Sequence, residues 1–296
     1  MDLSIIIVNY NTKDLLKRCL ESVVSDWLIV VGNQLPVTNH QPPITEVIVV
    51  DNGSTDGSAE MLQGLMASRG KKQTPPATSH QPPVTLRLIK NKENLGFAKA
   101  VNQGIRQAKG EVIFLLNPDT LIKPGALKKL LEFERKVSPA IIGAKMLNPD
   151  GTIQGSVFNL PTIGRAIQEY WFGKKGAFSK YAPSGNKPVE VEAVSGGAML
   201  ISKEVIEKIG LFNERYFMYF EDLDYCRRAR KAGFKIWYLP TAEVIHEHGA
   251  SGKFLAKPED QWKRLIPSSK IYHGSLKHYL IWLIIRSSQK LSFASK

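Results

Sequence analysis

Four apolar runs punctuate the first part of the chain, and polar residues that favour turns follow each of them. Leu3–Val8 stops at Asn9-Tyr10-Asn11-Thr12, and Glu46–Val50 stops at Asp51-Asn52-Gly53-Ser54. Leu86–Ile89 precedes Asn91, and Glu111–Leu116 stops at Asn117-Pro118-Asp119. Three of them, 3–8, 46–50 and 111–116, lack polar alternation, which suits strands covered on both faces, whereas Arg87 interrupts the run at 86–89. Between them the apolar positions recur at helical spacing. Leu15, Leu16, Cys19, Leu20 and Val23 predict a helix over 14–24, and another is predicted over 98–108, ended by Gly110. Strand and helix thus alternate, which predicts an α/β fold whose mostly parallel sheet has helices on both faces.

Further along, the pattern predicts a helix over 126–133 and a strand over 141–146. A further strand is predicted through 189–194, Gly196-Gly197 and 198–201, then a helix ended by Gly233 and a strand over 235–239. The glycine pair permits close backbone approach. Residues 163–181 gather Tyr170, Trp171, Phe172, Phe178 and Tyr181. This stretch reads equally as an acceptor-side loop or as a satellite core. Two stretches rich in Pro, Thr, Asn and Gln, about 32–43 and 71–83, end in near-copies, His40-Gln-Pro-Pro-Ile-Thr45 and His80-Gln-Pro-Pro-Val-Thr85. They are expected to be non-catalytic surface insertions ahead of strands two and three.

Composition narrows the class. The chain has 296 residues, a formal charge of +13 and two cysteines, Cys19 and Cys226, with no CxxC pair. A reducing compartment fits, and neither a zinc site nor a disulfide framework is indicated. The N-terminus lacks a basic segment and a small-residue cleavage site, so a cytoplasmic location is expected. Charge concentrates at the far end: from Lys253 to Lys296 nine Lys and Arg face only Glu259 and Asp260, a net of +7. The absence of zinc-finger and RNP motifs argues against nucleic acid. Tyr279–Ile285, apolar and flanked by Lys277 and Arg286, is far short of the roughly 20 residues that span a bilayer. It reads as an amphipathic helix at an anionic membrane surface, or as a terminal helix packed on the protein's own core.

The candidate chemistry sits at strand ends. Asp51 and Asp119 both follow the carboxyl end of a buried strand, where ligands bind in open α/β sheets. No GxGxxG marks the first strand-to-helix junction, which disfavours a dinucleotide-binding domain. Glu221, Asp222 and Asp224 begin a helix whose later turns carry Arg227, Arg228, Arg230 and Lys231. Macrodipole compensation accounts for that polarity without any function. The preceding Phe217-Met218-Tyr219-Phe220 implies a desolvated setting in which a carboxylate can be tuned as a base. His246 and His248 share a face if the strand reaches them, and are candidate metal ligands or simply solvated loop histidines.

These pieces occur in one order: Ser4–Asn11, Val49–Asp56, Glu93-Asn-Leu-Gly-Phe-Ala98, Leu116-Asn-Pro-Asp119, Ser195-Gly-Gly-Ala198, Phe220-Glu-Asp222 and Ile245-His246. Together they resemble the family-2 inverting glycosyltransferases, in their rhamnosyltransferase-like branch, over about residues 3–251. The resemblance implies a GT-A fold over 1–252, with a nucleotide-binding half (1–120), an acceptor and catalytic half (121–252) and a basic tail (253–296). It implies that Val8, Asn9, Asp51, Asn94, Gly96, Asn102, Asn117 and Asp119 serve the nucleotide-sugar donor, possible dTDP-rhamnose among the donors. Gly196 and Gly197 would lie on the acceptor side, and Asp119 and His246 would bind Mn2+ or Mg2+, with His248 in reserve. Asp222, beside Glu221, would be the general base. Asn117 stands where the family usually has the first acid of Asp-x-Asp, which removes one charge from the metal site. The acceptor implied is a hydroxyl of a lipid-linked or cell-envelope glycan, on the inner face of the membrane. A non-catalytic sugar-nucleotide-binding module is the alternative.

Overall fold

The computed structural model describes residues 3–31, 45–71, 84–247 and 263–294. The expected insertion at 32–43, nearly all of the one at 71–83, His248 and the 252/253 boundary lie outside them. The chain begins in the expected order of elements, with β1 (Leu3–Asn9), α1 (Lys13–Val31, running past the expected end at 24), β2 (Thr45–Asp51), α2 (Ser58–Lys71), β3 (Thr85–Lys90), α3 (Phe97–Gln107) and β4 (Val112–Leu116). β1, β2 and β4 are buried at nearly every position, as their unbroken apolar sequences require. They pair in parallel, β3 against β2, β2 against β1 and β1 against β4, so their carboxyl ends share one edge.

The second half extends the same sheet differently. β5 (Thr120–Ile122), α4 (Ala126–Val137), β6 (Ala140–Leu147), β7 (Ile153–Gln154), β8 (Val157–Phe158) and α5 (Ile163–Tyr170) are followed by β9 (Val189–Glu190), β10 (Ala193–Val194) and β11 (Ala198–Ser202). Then come α6 (Lys203–Ile209), α7 (Glu221–Lys231) and β12 (Lys235–His246), and finally α8 (Leu265–His273) and α9 (Ser275–Ala294). Among the described residues the sheet runs β3-β2-β1-β4-β11-β6-β12-β5. β11 is antiparallel to both of its neighbours, while β12 is parallel to β6.

Two sequence expectations change here. The single strand expected over 189–201 is three: β9 pairs with β12, β10 with β8 in a separate two-stranded sheet, and β11 enters the main sheet. The Gly196-Gly197 turn makes that change of sheet sterically feasible. The strand expected to end at 239 continues as β12 to His246 across a bulge between Leu239 and Glu243, where Pro240 removes a ladder donor.

Helices cover both faces. α1 and α4 pack on one side, where Asp26 of α1 accepts from the Gly125 and Leu127 amides and so caps α4, whose own N-cap is a glycine. α3 and α7 pack on the other, around Ile6, Ile113, Tyr225 and Cys226. The aromatic stretch resolves as a satellite core at least in part. Ala166 of α5 is buried with Ile281 and Ile284 of α9, and Tyr170 and Phe178 pack against them. α9 therefore does cover part of the protein's own body, yet Leu276, Tyr279, Leu280 and Leu283 remain exposed on its outer side.

Candidate active site

The carboxyl ends of the parallel strands form the floor of the site. Asp51 is fully buried and accepts from Asn9 Nδ2 at 3.0 Å and from the Ser54 amide at 3.0 Å. Asn52 ties the next loop in place: its Nδ2 donates to Asn94 Oδ1 (2.9 Å), and its Oδ1 accepts from the Leu95 amide (3.1 Å). Gly96 has φ +86°, and a Cβ there would lie 2.6 Å from the Phe217 carbonyl, so the position is closed to any side chain. Val8, Tyr10, Asn52 and Asn94 face the cleft, whereas Asn9, Asp51 and Gly96 shape it from beneath. Asn102 departs from the expectation. Its amide is spent on the chain at 212–214, donating to Phe212 O and Glu214 Oε1 and accepting from the Phe212 amide, so it holds the backbone and does not line the cleft.

Proline 118 turns the chain from β4 into β5, and β5 pairs antiparallel with the end of β12, setting Thr120 opposite His246. That register is why Asp119 and His246 meet, with Asp119 Oδ1 3.4 Å from His246 Nε2 and both side chains nearly buried. Gln154 orients the imidazole. Its amide nitrogen donates to Asn148 Oδ1 (2.8 Å), which turns Gln154 Oε1 towards His246 Nδ1 at 2.6 Å. A donor at Nδ1 leaves the Nε2 lone pair towards Asp119 and the cleft, the arrangement of a metal-ligating histidine. Asn117 Nδ2 lies 3.5 Å from the same Nε2. A carboxylate oxygen and an imidazole nitrogen converging beside a cleft suit a divalent cation whose other ligands come from a diphosphate. Among the described residues no group of three or more His, Cys, Asp or Glu gathers, here or elsewhere, so the protein would supply only this pair.

The opposite wall is the start of α7. Tyr219 and Phe220 both have φ between +60° and +70°, consecutive left-handed residues that cost energy and are held by their surroundings. α8 supplies the hold: Ser268 Oγ donates to Met218 O at 2.7 Å, and the Phe220 ring packs on Tyr272 and His273. The strained turn delivers Glu221 and Asp222 into the cleft. Asp222 Oδ2 accepts from the Gly196 amide (3.1 Å) and Oδ1 from the Leu223 amide (2.8 Å). Burial pushes its carboxyl above the ordinary aspartate range, against the pull of Lys180 and of those amides. Glu221 is driven higher still, by burial first and by the Asp222 charge second.

Gly196 and Gly197 join the two walls. The Asn117 amide donates to Gly197 O at 2.9 Å, one residue from the Gly196 amide that holds Asp222. Asp119, His246, Glu221 and Asp222 consequently line one cleft of about 1010 Å³. Sequence reasoning missed Tyr10, Asn52, Phe97, Lys180, His278 and the orienting Gln154. Tyr10, Asn52 and Phe97 lie inside the quoted motifs, but Lys180, His278 and Gln154 carry no local signal and reach the site only through tertiary packing.

The match to known families is equally definite. The profile of Glycosyl transferase family 2 matches residues 4–210. The chain belongs to this family. It is a glycosyltransferase of GT-A fold, similar to rhamnosyltransferases. The N-acetylglucosaminyl-diphospho-decaprenol L-rhamnosyltransferase of Mycobacterium tuberculosis is 29% identical over 282 residues, spanning 82% of this chain and 86% of the relative. The dTDP-rhamnosyl transferase RfbF of Shigella flexneri is 29% identical over 53% of this chain and 50% of its own. Among solved structures, the mannosyltransferase PcManGT of Pyrobaculum calidifontis, in complex with GDP-Man and Mn2+, superposes with a TM-score of 0.55. It is 15% identical over 99% of this chain and 75% of its own, a likeness of fold.

Proposed function

We propose that this glycosyltransferase moves a sugar from a nucleotide donor to a hydroxyl of a lipid-linked or cell-envelope glycan, with inversion at the anomeric carbon. The observation that carries the reading is the shared cleft: the Asp119–His246 pair on one wall and Asp222 on the other, joined through Gly196-Gly197. Val8, Asn94 and the floor made by Asn9 and Asp51 would receive the nucleotide. Asp119 and His246 would hold a divalent cation, and the imidazole favours manganese over magnesium. When bound, that ion offsets the charge that grows on the departing diphosphate. Asp222 takes the proton from the acceptor hydroxyl as that oxygen attacks from the face opposite the diphosphate. Burial makes Asp222 a stronger base than a solvated aspartate, and the Gly196 amide aims it. One displacement inverts the centre, and no covalent sugar–enzyme intermediate forms. The names of the relatives support dTDP-rhamnose as the donor and a diphospholipid-linked sugar as the acceptor.

No helix among the described residues is long and apolar enough to cross a membrane. The exposed outer side of α9 supports attachment to the inner face of an anionic membrane, where such an acceptor resides. The test of the chemistry is Asp222→Asn. Transfer should fall by roughly 100- to 10,000-fold, while the thermal shift given by nucleoside diphosphate with Mn2+ persists. Near-normal transfer by the folded variant would dismiss Asp222 as the base. Asn117, a neutral amide beside His246, favours a second reading in which the cleft binds sugar nucleotides without turnover. Donor binding with no metal-stimulated transfer or hydrolysis by the unmodified chain would select it.

A further inference from the structure

The cleft does not end at Asp222. Past Phe220 it continues along the seam where α5 and its following loop meet α8 and α9, lined by Tyr170, Phe178, Ile281, Trp282 and Ile285. The α9 residues that line it run from His278 to Gln289, about 16 Å of helix. Its total volume of about 1010 Å³ stands at the upper end of what single small-molecule sites occupy, roughly 300–1,000 Å³. A nucleotide sugar has a base that can stack on an aromatic ring but no hydrocarbon chain to cover an aliphatic wall of this length. A second ligand with a substantial hydrocarbon part would cover it.

One cation is part of this lining. Lys180 lines the cleft on the loop after α5, its Nζ 5.3 Å from the centroid of the Phe158 ring. Its charge reaches both Glu221 and Asp222, lowering the pKa of each against the effect of burial. Lys180 thus lines the same cleft as the carboxylates that would meet the acceptor hydroxyl, and it follows Phe178 of the apolar stretch by two residues. An anionic head linked to a hydrocarbon tail is complementary to that combination of surfaces.

We infer that the channel between α5 and α9 is the acceptor's lipid subsite, taking the prenyl chain of a prenyl-diphosphate-linked sugar, with Lys180 bound to its phosphate. This rests on the glycosyl-transfer reading and deepens it: the acceptor enters tail first along α9, and its sugar reaches Asp222 only when the tail is seated. The channel is continuous with the catalytic cleft, so recognition of lipid and presentation of the hydroxyl are one event.

The test uses the full chain and a benzophenone-bearing farnesyl diphosphate. Irradiation should label 163–181 together with His278, Ile281, Trp282, Ile285 or Gln289 of α9, and unmodified farnesyl diphosphate should suppress the labelling far better than inorganic pyrophosphate. Lys180 is exposed, so Lys180→Gln should fold normally. It should weaken farnesyl diphosphate by about tenfold or more, the loss expected for one charge-assisted contact, and leave farnesol unaffected. Labelling confined to the outer side of α9, at Leu276, Tyr279, Leu280 or Leu283, would overturn the inference. So would equal suppression by pyrophosphate, or an unchanged affinity in Lys180→Gln. Nucleoside diphosphate with Mn2+ is titrated separately by thermal shift. Nucleotide binding without channel labelling removes the lipid subsite and leaves the donor site standing. Channel labelling with no nucleotide binding removes the transferase reading instead.

Discussion

Glu221 Oε2 is buried with no hydrogen-bond partner among the described residues, directly beside Asp222. Because burial and Asp222 raise its carboxyl above the ordinary 4.5, the folded chain holds a proton there that the unfolded chain releases. The sign follows: the unfolded state binds fewer protons above pH 4.5, so Glu221 makes stability fall as pH rises through that region. Glu221→Gln removes the ionisation. It should melt higher than the parent at pH 7.5 and show a flatter loss of stability from pH 5 upwards; equal melting curves across that range would show that Glu221 is solvated. Gln154 makes a second case. Gln154→Met leaves the imidazole of His246 without the acceptor that fixes its tautomer. Mn2+ should then bind roughly 10- to 100-fold more weakly in the presence of nucleoside diphosphate, read by calorimetry. Unaltered Mn2+ affinity would separate Gln154 from the metal side. Asp119 and Asp222 stood out in the chain because one follows an apolar strand and the other an aromatic tetrad, whereas His246 was singled out by the resemblance, its strand having been expected to end at 239. Gln154 was not legible, since a glutamine after a turn has no local mark and acquires its role from β7 pairing with β6.

Secondary elements were read best where one element uses one contiguous pattern. β1, β2 and β4 are continuous apolar runs, and α3 keeps its helical spacing, so their bounds fall within a residue or two of expectation. The segment from 189 to 202 was misjudged because short strands facing different sheets share one apolar composition. Period alone cannot say that β10 leaves the main sheet while β11 enters it antiparallel between β4 and β6. That insertion brings Gly196-Gly197 to the end of β4, so the geometry of the cleft depends on an element the pattern merges with its neighbours. Gly143 on β6 shows how tightly β10 packs there: a Cβ would fall 2.6 Å from both Cβ and Cγ1 of Val194. Gly143→Ala should therefore cost about 1–3 kcal/mol through overpacking, read as a lower denaturant midpoint. An unchanged midpoint would mean that β10 is free to move away from β6.

At the scale of the molecule, the proposed membrane attachment would fall on the outer side of α9. Leu276, Leu280 and Leu283 are 75%, 40% and 54% exposed, and Tyr279 lies among them. Lys277 and Arg286 are on the same helix, and Arg286 sits 4.9 Å from the Trp282 ring centroid. Apolar and aromatic residues beside cations are the composition of a helix that lies in a lipid interface. The opposite side of α9 already packs on α5 through Ile281 and Ile284, so insertion would use the outer side and leave the satellite core intact. The sequence left those two roles as alternatives because α9 is apolar nearly all round, and a helix of that kind can serve both. Leu276→Asp, Leu280→Asp and Leu283→Asp made together replace three solvated leucines, each able to contribute up to about 1.5–3 kcal/mol once buried in lipid. The triple variant should melt like the parent yet no longer co-sediment with phosphatidylglycerol vesicles. The parent should bind less as salt rises, because screening weakens its electrostatic attraction. Equal co-sedimentation of variant and parent would exclude the outer side of α9 as the lipid contact.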